Sequence, residues 1–170
     1  MSPVDGAAAT PEERLAELGL KVPGVAKPLA AYVPAVRSGS LVFTSGQLPT
    51  VDGVLPKTGK VGAQVTAEEA KDLARLCALN ALAAIKAEIG ELARVRRVVK
   101  LVGFVASTAD FTGQPGVVNG ASELLGQVFG EAGVHARSAV GVAALPLDAP
   151  VEVELTVEID AAGSAAGGVA

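Results

Sequence analysis

Tryptophan is absent from these 170 residues, cysteine, histidine, tyrosine and methionine occur once each, and aromatic residues make up only 3%. Each shortage removes a class of function. A single cysteine, Cys77, excludes an internal disulfide and a thiolate metal cluster, and it fits a reducing cytosol. One histidine, His135, gives no basis for a histidine metal site, so no metal is expected. Scarce aromatics leave no stacking platform for single-stranded nucleic acid, and a net charge of −4 gives no long-range attraction for its phosphates. No apolar run reaches the roughly 18 residues of a spanning helix, because Asn80, Lys100 and Asp110 interrupt the candidates. The first eleven residues have neither a basic lead-in nor an apolar stretch, so no secretory signal is expected and the chain is assigned to the cytoplasm. There is no P-loop and no GxGxxG after a strand. Nothing puts a serine nucleophile on a strand-to-helix elbow to use His135. Whatever chemistry occurs is expected to be cofactor-free.

Half of the residues are apolar, so the core must be packed from Val, Leu, Ile and Ala. The length fits a single domain, expected over residues 11–160 between a flexible N-terminus (1–10) and a flexible Ala/Gly tail (161–170). Thr10 and Glu13 predict a capped helix over 11–19. The β-rich runs 32–36 and 41–44 predict a hairpin through Arg37-Ser38-Gly39-Ser40, and the turn-rich stretch 49–62 a loop. Thr66 and Glu69 form a second capping pair, and Gly90 closes the long helix they open. A strand over 97–106, a helix over 115–129 and strands over 138–145 and 151–159 follow, the last two joined by a turn at 146–150.

Two of these strands differ in pattern. In the last, Val151, Val153, Leu155, Val157 and Ile159 alternate strictly with Glu152, Glu154, Thr156 and Glu158. The strand over 97–106 is apolar on both faces. Two helices can cover only one face of an antiparallel sheet, so the other face is expected to meet a second copy of the chain.

Arg137 heads an otherwise uncharged strand, where a guanidinium must be paired. Its planar fork suits a carboxylate held bidentately, either a ligand's or that of a strand glutamate in an internal salt bridge. The other candidates have plain readings too. Glu152, Glu154 and Glu158 would form a solvated or inter-subunit face, and Tyr32 a rim or core position. Ser45 and Gly46 would end a strand, and Asn119 would be an ordinary helix polar residue. Cys77 lies on an apolar helix face, which suits core packing better than nucleophilic chemistry. Arg94, Arg96, Arg97 and Lys100 fit compensation of a helix C-terminus.

The segments Val42-Phe43-Thr44-Ser45-Gly46-Gln47-Leu48-Pro49, Val118-Asn119-Gly120, Ala136-Arg137-Ser138-Ala139-Val140 and Val151-Glu152-Val153-Glu154 occur in that order. Together, over about residues 30–160, they resemble the Rid family, also called the YjgF-like or "endoribonuclease L-PSP" family. The resemblance implies an α+β, Bacillus chorismate-mutase-like fold with two helices on one face of the sheet. It also implies a homotrimer with pockets between subunits, and hydrolytic deamination of reactive 2-enamine or 2-imino acids to 2-oxo acids and ammonia. By the same resemblance Arg137 grips the substrate carboxylate and Glu152 positions or activates water. Tyr32, Ser45, Gly46, Asn119 and Ala139 line the pocket, and the partner is a small carboxylate-bearing metabolite. This chain has Ala139 where well-studied members place cysteine, Gly141 where glutamate is frequent, and His135 where proline is common. The alternatives are a non-catalytic binder of 2-oxo acids or related metabolites and, from the family's second name, a ribonuclease.

Overall fold

Residues 8–25 and 31–161 are described by the computed structural model, so most of the flexible ends expected at 1–10 and 161–170 lies outside the described residues. Helix starts are set by local chemistry. Helix α1 (Pro11–Glu17) begins where Thr10 Oγ1 accepts from the Glu13 N–H and the Glu13 carboxylate accepts from the Thr10 N–H, at 3.2 and 2.7 Å. Thr66 and Glu69 make the same reciprocal pair, at 3.1 and 2.8 Å, before α2 (Ala67–Ile89), which ends at Gly90. Each box satisfies two donors that a helix start would otherwise leave bare. The C-terminus of α2 is closed from outside, because Arg94 Nη1 donates to the Ile89 carbonyl at 2.8 Å. Helix α3 (Gln114–Phe129) completes the set.

Five strands form one sheet: β1 (Ala35–Ser38), β2 (Leu41–Thr44), β3 (Val95–Ala106), β4 (Ala136–Val142) and β5 (Val151–Ile159). Their spatial order is β1-β2-β5-β3-β4. Three expectations are corrected here. The sheet is not wholly antiparallel: β3 and β4 run parallel, because α3 carries the chain back between them and only such a crossover can return it in the same direction. The first strand starts at Ala35 rather than at residue 32, just after Pro34, which has no N–H to give to a ladder. Strand β4 covers 136–142 rather than 138–145, since its last partner is Ala106, the end of β3.

Both long helices pack on one face. The alternating aliphatics of β5 are buried against them, with Val42, Val98, Leu101 and Val105 from the neighbouring strands. Helix α2 offers Ala70, Leu73, Ala74, Cys77, Ala81 and Ile85 to this core, and α3 offers Val117, Val118, Ala121, Leu124 and Leu125. Helix α1 straps the far ends: Glu12 pairs with Lys86 at 3.1 Å and accepts from the Leu92 N–H at 2.9 Å, while Arg14 donates to the Val128 carbonyl at 3.2 Å. Among the described residues no helix is long and apolar enough to cross a membrane.

The two long helices meet at Gly120, where a Cβ would fall onto the backbone carbonyl of Lys71. Backbone cannot swing aside as a side chain can, so Gly120→Ala should cost about 1–3 kcal/mol by overpacking. Gly126, on the same helix, has open space where its Cβ would be. Gly126→Ala should therefore stabilise by about 0.5–1 kcal/mol through helix propensity. Urea denaturation of both variants checks the contrast, and an equal effect of the two would refute the close helix contact.

Candidate functional site

The chemistry-bearing residues fall into two groups. At the β4 edge, Arg137 reaches over to α3. Its Nη1 donates to Asn119 Oδ1 at 2.7 Å and to Ser122 Oγ at 3.2 Å, and its Nη2 donates to the Pro115 carbonyl at 3.3 Å. All three acceptors are neutral, and among the described residues no carboxylate forms an ion pair with Arg137. The internal salt bridge to a strand glutamate is therefore not made. Ala139 lies two residues along the same strand face, packed against the core. By its type alone Asn119 reads as an ordinary helix position, and only the family resemblance sets it at the pocket; it is the nearest partner of the guanidinium.

The second group gathers where β2 ends beside β5. Gln47 and Val153 exchange backbone hydrogen bonds at 2.8 and 3.1 Å, which draws Ser45 and Gly46 against the start of β5. Ser45 donates its hydroxyl to the Val33 carbonyl at 2.6 Å and its N–H to the Pro34 carbonyl at 2.8 Å, tying down the segment that carries Tyr32. A Cβ on Gly46 would overlap the Glu152 carboxyl group, so only glycine leaves Glu152 its place. Half-burial pushes the Glu152 carboxyl above its ordinary pKa of 4.5, and the charge of Glu154 adds to the push. Tyr32 and Gly46 line a cavity of about 690 Å³ with Gln47, Leu48, Leu79 and Asn80. Asn80 donates to the carbonyls of Leu48 and Thr50 at 2.9 and 3.1 Å, fixing the cavity's loop wall. Asn80 was legible as the polar interruption of an apolar helix face, though its role was not. Burial pushes the Cys77 thiol well up, which leaves it a core residue.

The sheet keeps these groups apart. Arg137 pairs with Leu101, which pairs with Leu155, and both leucines are buried on the helix side. Glu152 pairs with Phe104 on the open side. Arg137 and Glu152 thus lie on opposite faces, two strands and three residues apart, which is roughly 10 Å in each direction. No small molecule can touch both within one chain.

A sequence profile described as "YjgF/chorismate mutase-like, putative endoribonuclease" matches residues 12–159. Protein TCP17 of Trypanosoma cruzi is 49% identical over 147 residues, covering 86% of this chain and 92% of that protein. Among solved structures, Agrobacterium tumefaciens Atu1372, of unknown function, superposes with a TM-score of 0.82 at 49% identity, over 89% of this chain and 92% of that one. Escherichia coli TdcF, solved with bound serine, superposes with a TM-score of 0.53 at 30% identity, over 81% of this chain and 92% of its own.

The raised pKa of Glu152 has a stability consequence with a definite sign. Ionising it is harder in the folded chain than in the unfolded one, so its cost is absent below about pH 4.5 and grows as pH rises through the folded value. Glu152→Gln should therefore melt higher than the parent protein at pH 7, with the gap closing by pH 4. Calorimetric melting at the two pH values checks this, and a glutamine variant that melts lower at pH 7 would contradict the burial argument.

Proposed function

The chain belongs to the YjgF/chorismate mutase-like family, and we propose that it deaminates 2-enamine and 2-imino acids to 2-oxo acids and ammonia, without a cofactor, in pockets shared between copies of a homotrimer. The observation that carries this reading is the state of Arg137. A guanidinium has five N–H donors; three are placed on neutral acceptors, which leaves two and the whole positive charge for a ligand. A carboxylate is the group that uses such donors best. The serine bound to TdcF, a relative, is itself a small carboxylate.

The reaction asks little of the protein. A 2-imino acid already has an electrophilic carbon, and hydrolysis adds water across C=N and expels ammonia. Arg137 holds the carboxylate, so the imine carbon is presented in one orientation. Glu152 takes a proton from the attacking water and returns it to the departing nitrogen. A carboxyl with a raised pKa is better matched to that exchange near neutral pH than an ordinary one. Ser45, Gly46 and Tyr32 would lie beside Glu152, and Asn119 and Ala139 beside Arg137.

Since Arg137 and Glu152 face opposite ways, their cooperation requires two copies of the chain. The open sheet face supports that assembly, because Val36, Phe43 and Val140 stand 52%, 43% and 44% exposed there, beside half-buried Val102 and Phe104. Exposed aliphatics and an aromatic on one sheet face fit a surface that another subunit covers. Ala139 and Gly141 favour the second reading, a pocket that binds 2-oxo acids without turning them over. The net charge of −4 and the poverty in aromatics speak against a ribonuclease.

Arg137→Ala should weaken binding of a small 2-oxo acid by about 2–5 kcal/mol, and Arg137→Lys should restore only part of it, because an ammonium has no fork. Titration calorimetry checks both, and unchanged affinity in the alanine variant would remove the anchor.

Glu152→Gln should slow ammonia release from an imino acid, generated in situ by an amino-acid oxidase, by about 10²–10⁴-fold over the spontaneous background. Refolding the Arg137→Ala and Glu152→Gln chains together should restore part of the activity, since some mixed pockets would carry both native residues. Failure to restore any activity, with mixed assemblies confirmed by native mass spectrometry, would place the two residues in separate sites. A parent protein that binds 2-oxo acids but releases no ammonia would favour the binding reading.

A further inference from the structure

Ser122 and His135, which imine hydrolysis does not use, are arranged beside Arg137 as a nucleophile and its base. His135 Nδ1 lies 2.6 Å from the Gly133 carbonyl, which can only accept, so Nδ1 carries the proton. The neutral ring then offers the lone pair of Nε2, and Ser122 Oγ lies 3.0 Å from it. In that neutral form the serine hydroxyl is the donor in the bond. On its other side Ser122 Oγ accepts from Arg137 Nη1 at 3.2 Å. Thus Oγ sits between a base that pulls its proton and a fixed positive charge that favours its ionised form. A backbone carbonyl fixes the imidazole tautomer, as a buried carboxylate does in the familiar serine triads.

The hydroxyl is also reachable. Ser122, Gly126, Gly133, Val134, His135 and Arg137 line an open depression of about 320 Å³. One helical turn beyond Ser122 stands Gly126, whose missing side chain leaves the approach clear, because residues four apart share a helix face. Exposed Val134 supplies an apolar wall on which a short acyl or alkyl group can rest. Among the described residues no carboxylate neutralises the guanidinium that would face a developing oxyanion.

We propose that Ser122 and His135 form an acyl-transfer site for small esters, an activity separate from imine hydrolysis. Ser122 Oγ attacks the ester carbonyl carbon while its proton passes to His135 Nε2, and Arg137 stabilises the negative oxygen. The carbon–oxygen bond to the alcohol breaks, and the leaving oxygen takes the proton from Nε2. A water molecule, deprotonated by Nε2, then attacks the acyl-serine. The carboxylic acid leaves, and the returning proton restores the Ser122 hydroxyl.

The test uses the full chain, with p-nitrophenyl acetate as substrate and diisopropyl fluorophosphate as a serine-directed label. Peptide mass mapping of the unaltered protein should locate the phosphoryl adduct on Ser122. His135→Gln, which keeps a hydrogen-bonding side chain but removes the base, should slow labelling and ester turnover by about 10²–10⁴-fold. Ser122→Ala should abolish both. An unaltered, folded protein that gains no mass on Ser122 would overturn the proposal, and so would labelling of Ser122 that proceeds equally fast in His135→Gln. Because the probes are an ester and a phosphorylating agent, and the first readout is a mass on one residue, the outcome is independent of whether imines are hydrolysed.

Discussion

The two-residue period of β5 governs this molecule more than any other single pattern. Five aliphatic side chains at alternate positions point to α2 and α3, and their burial binds the central strand to both helices. The same geometry sends Glu152, Glu154 and Glu158 to the opposite side, which no helix covers among the described residues. A shift of one residue in the pairing with β3 would put three carboxylates into the core and is therefore strongly disfavoured. Because β5 is flanked by β2 and β3, its register also fixes where the Ser45–Gly46 segment and the β3–β4 pair must lie.

From that constraint follows the division of the candidate site. The parity that keeps Leu101 and Leu155 inside puts Arg137, their row partner, on the helix side. There the nearest polar atoms belong to the third helix, and these neutral acceptors orient the guanidinium without discharging it. On the other side Glu152 is half-buried beneath the Gly46 backbone, close to Glu154, in a setting that disfavours its charge. One half of the site is thus cationic and the other a reluctant anion, with a packed sheet between them. Two identical chains can bring unlike halves together across an interface, whereas one chain cannot.

How far this was legible in the sequence depended on the range of the interactions. Both capping boxes, the length of the second helix and the last strand follow from side chains three or four residues apart or from strict alternation, and each was placed within a residue or two. The parallel pairing of β3 with β4 was missed, because it depends on the path of α3 over some thirty residues and leaves no local mark. The start of β1 was displaced because Tyr32 and Val33 have high strand propensity, while Pro34 ends the ladder before them. Among the site residues, Arg137 stood out as a lone charge on an apolar strand. Its partners carry no mark of their own: Asn119 is set at the pocket by the resemblance alone, and Ser122 looks like any polar position on a helix until the register of β4 sets that helix opposite it.

The substitutions at 139 and 141 bear on what the arginine can do. In the family that the sequence resembles, a glutamate is frequent at the position of Gly141, which is on the same strand face as Arg137 but four residues along it, roughly 13 Å away. A carboxylate there would act on the guanidinium only at long range, weakly and under screening by salt. Here the space is taken by uncharged groups: a Cβ on Gly141 would meet Gln114 Nε2 at 2.8 Å and Ser107 Oγ at 2.9 Å, and these two side chains are hydrogen-bonded to each other. Among the described residues Arg137 itself meets only the neutral acceptors of Pro115, Asn119 and Ser122 on α3, so the counter-charge for its guanidinium has to arrive with whatever binds.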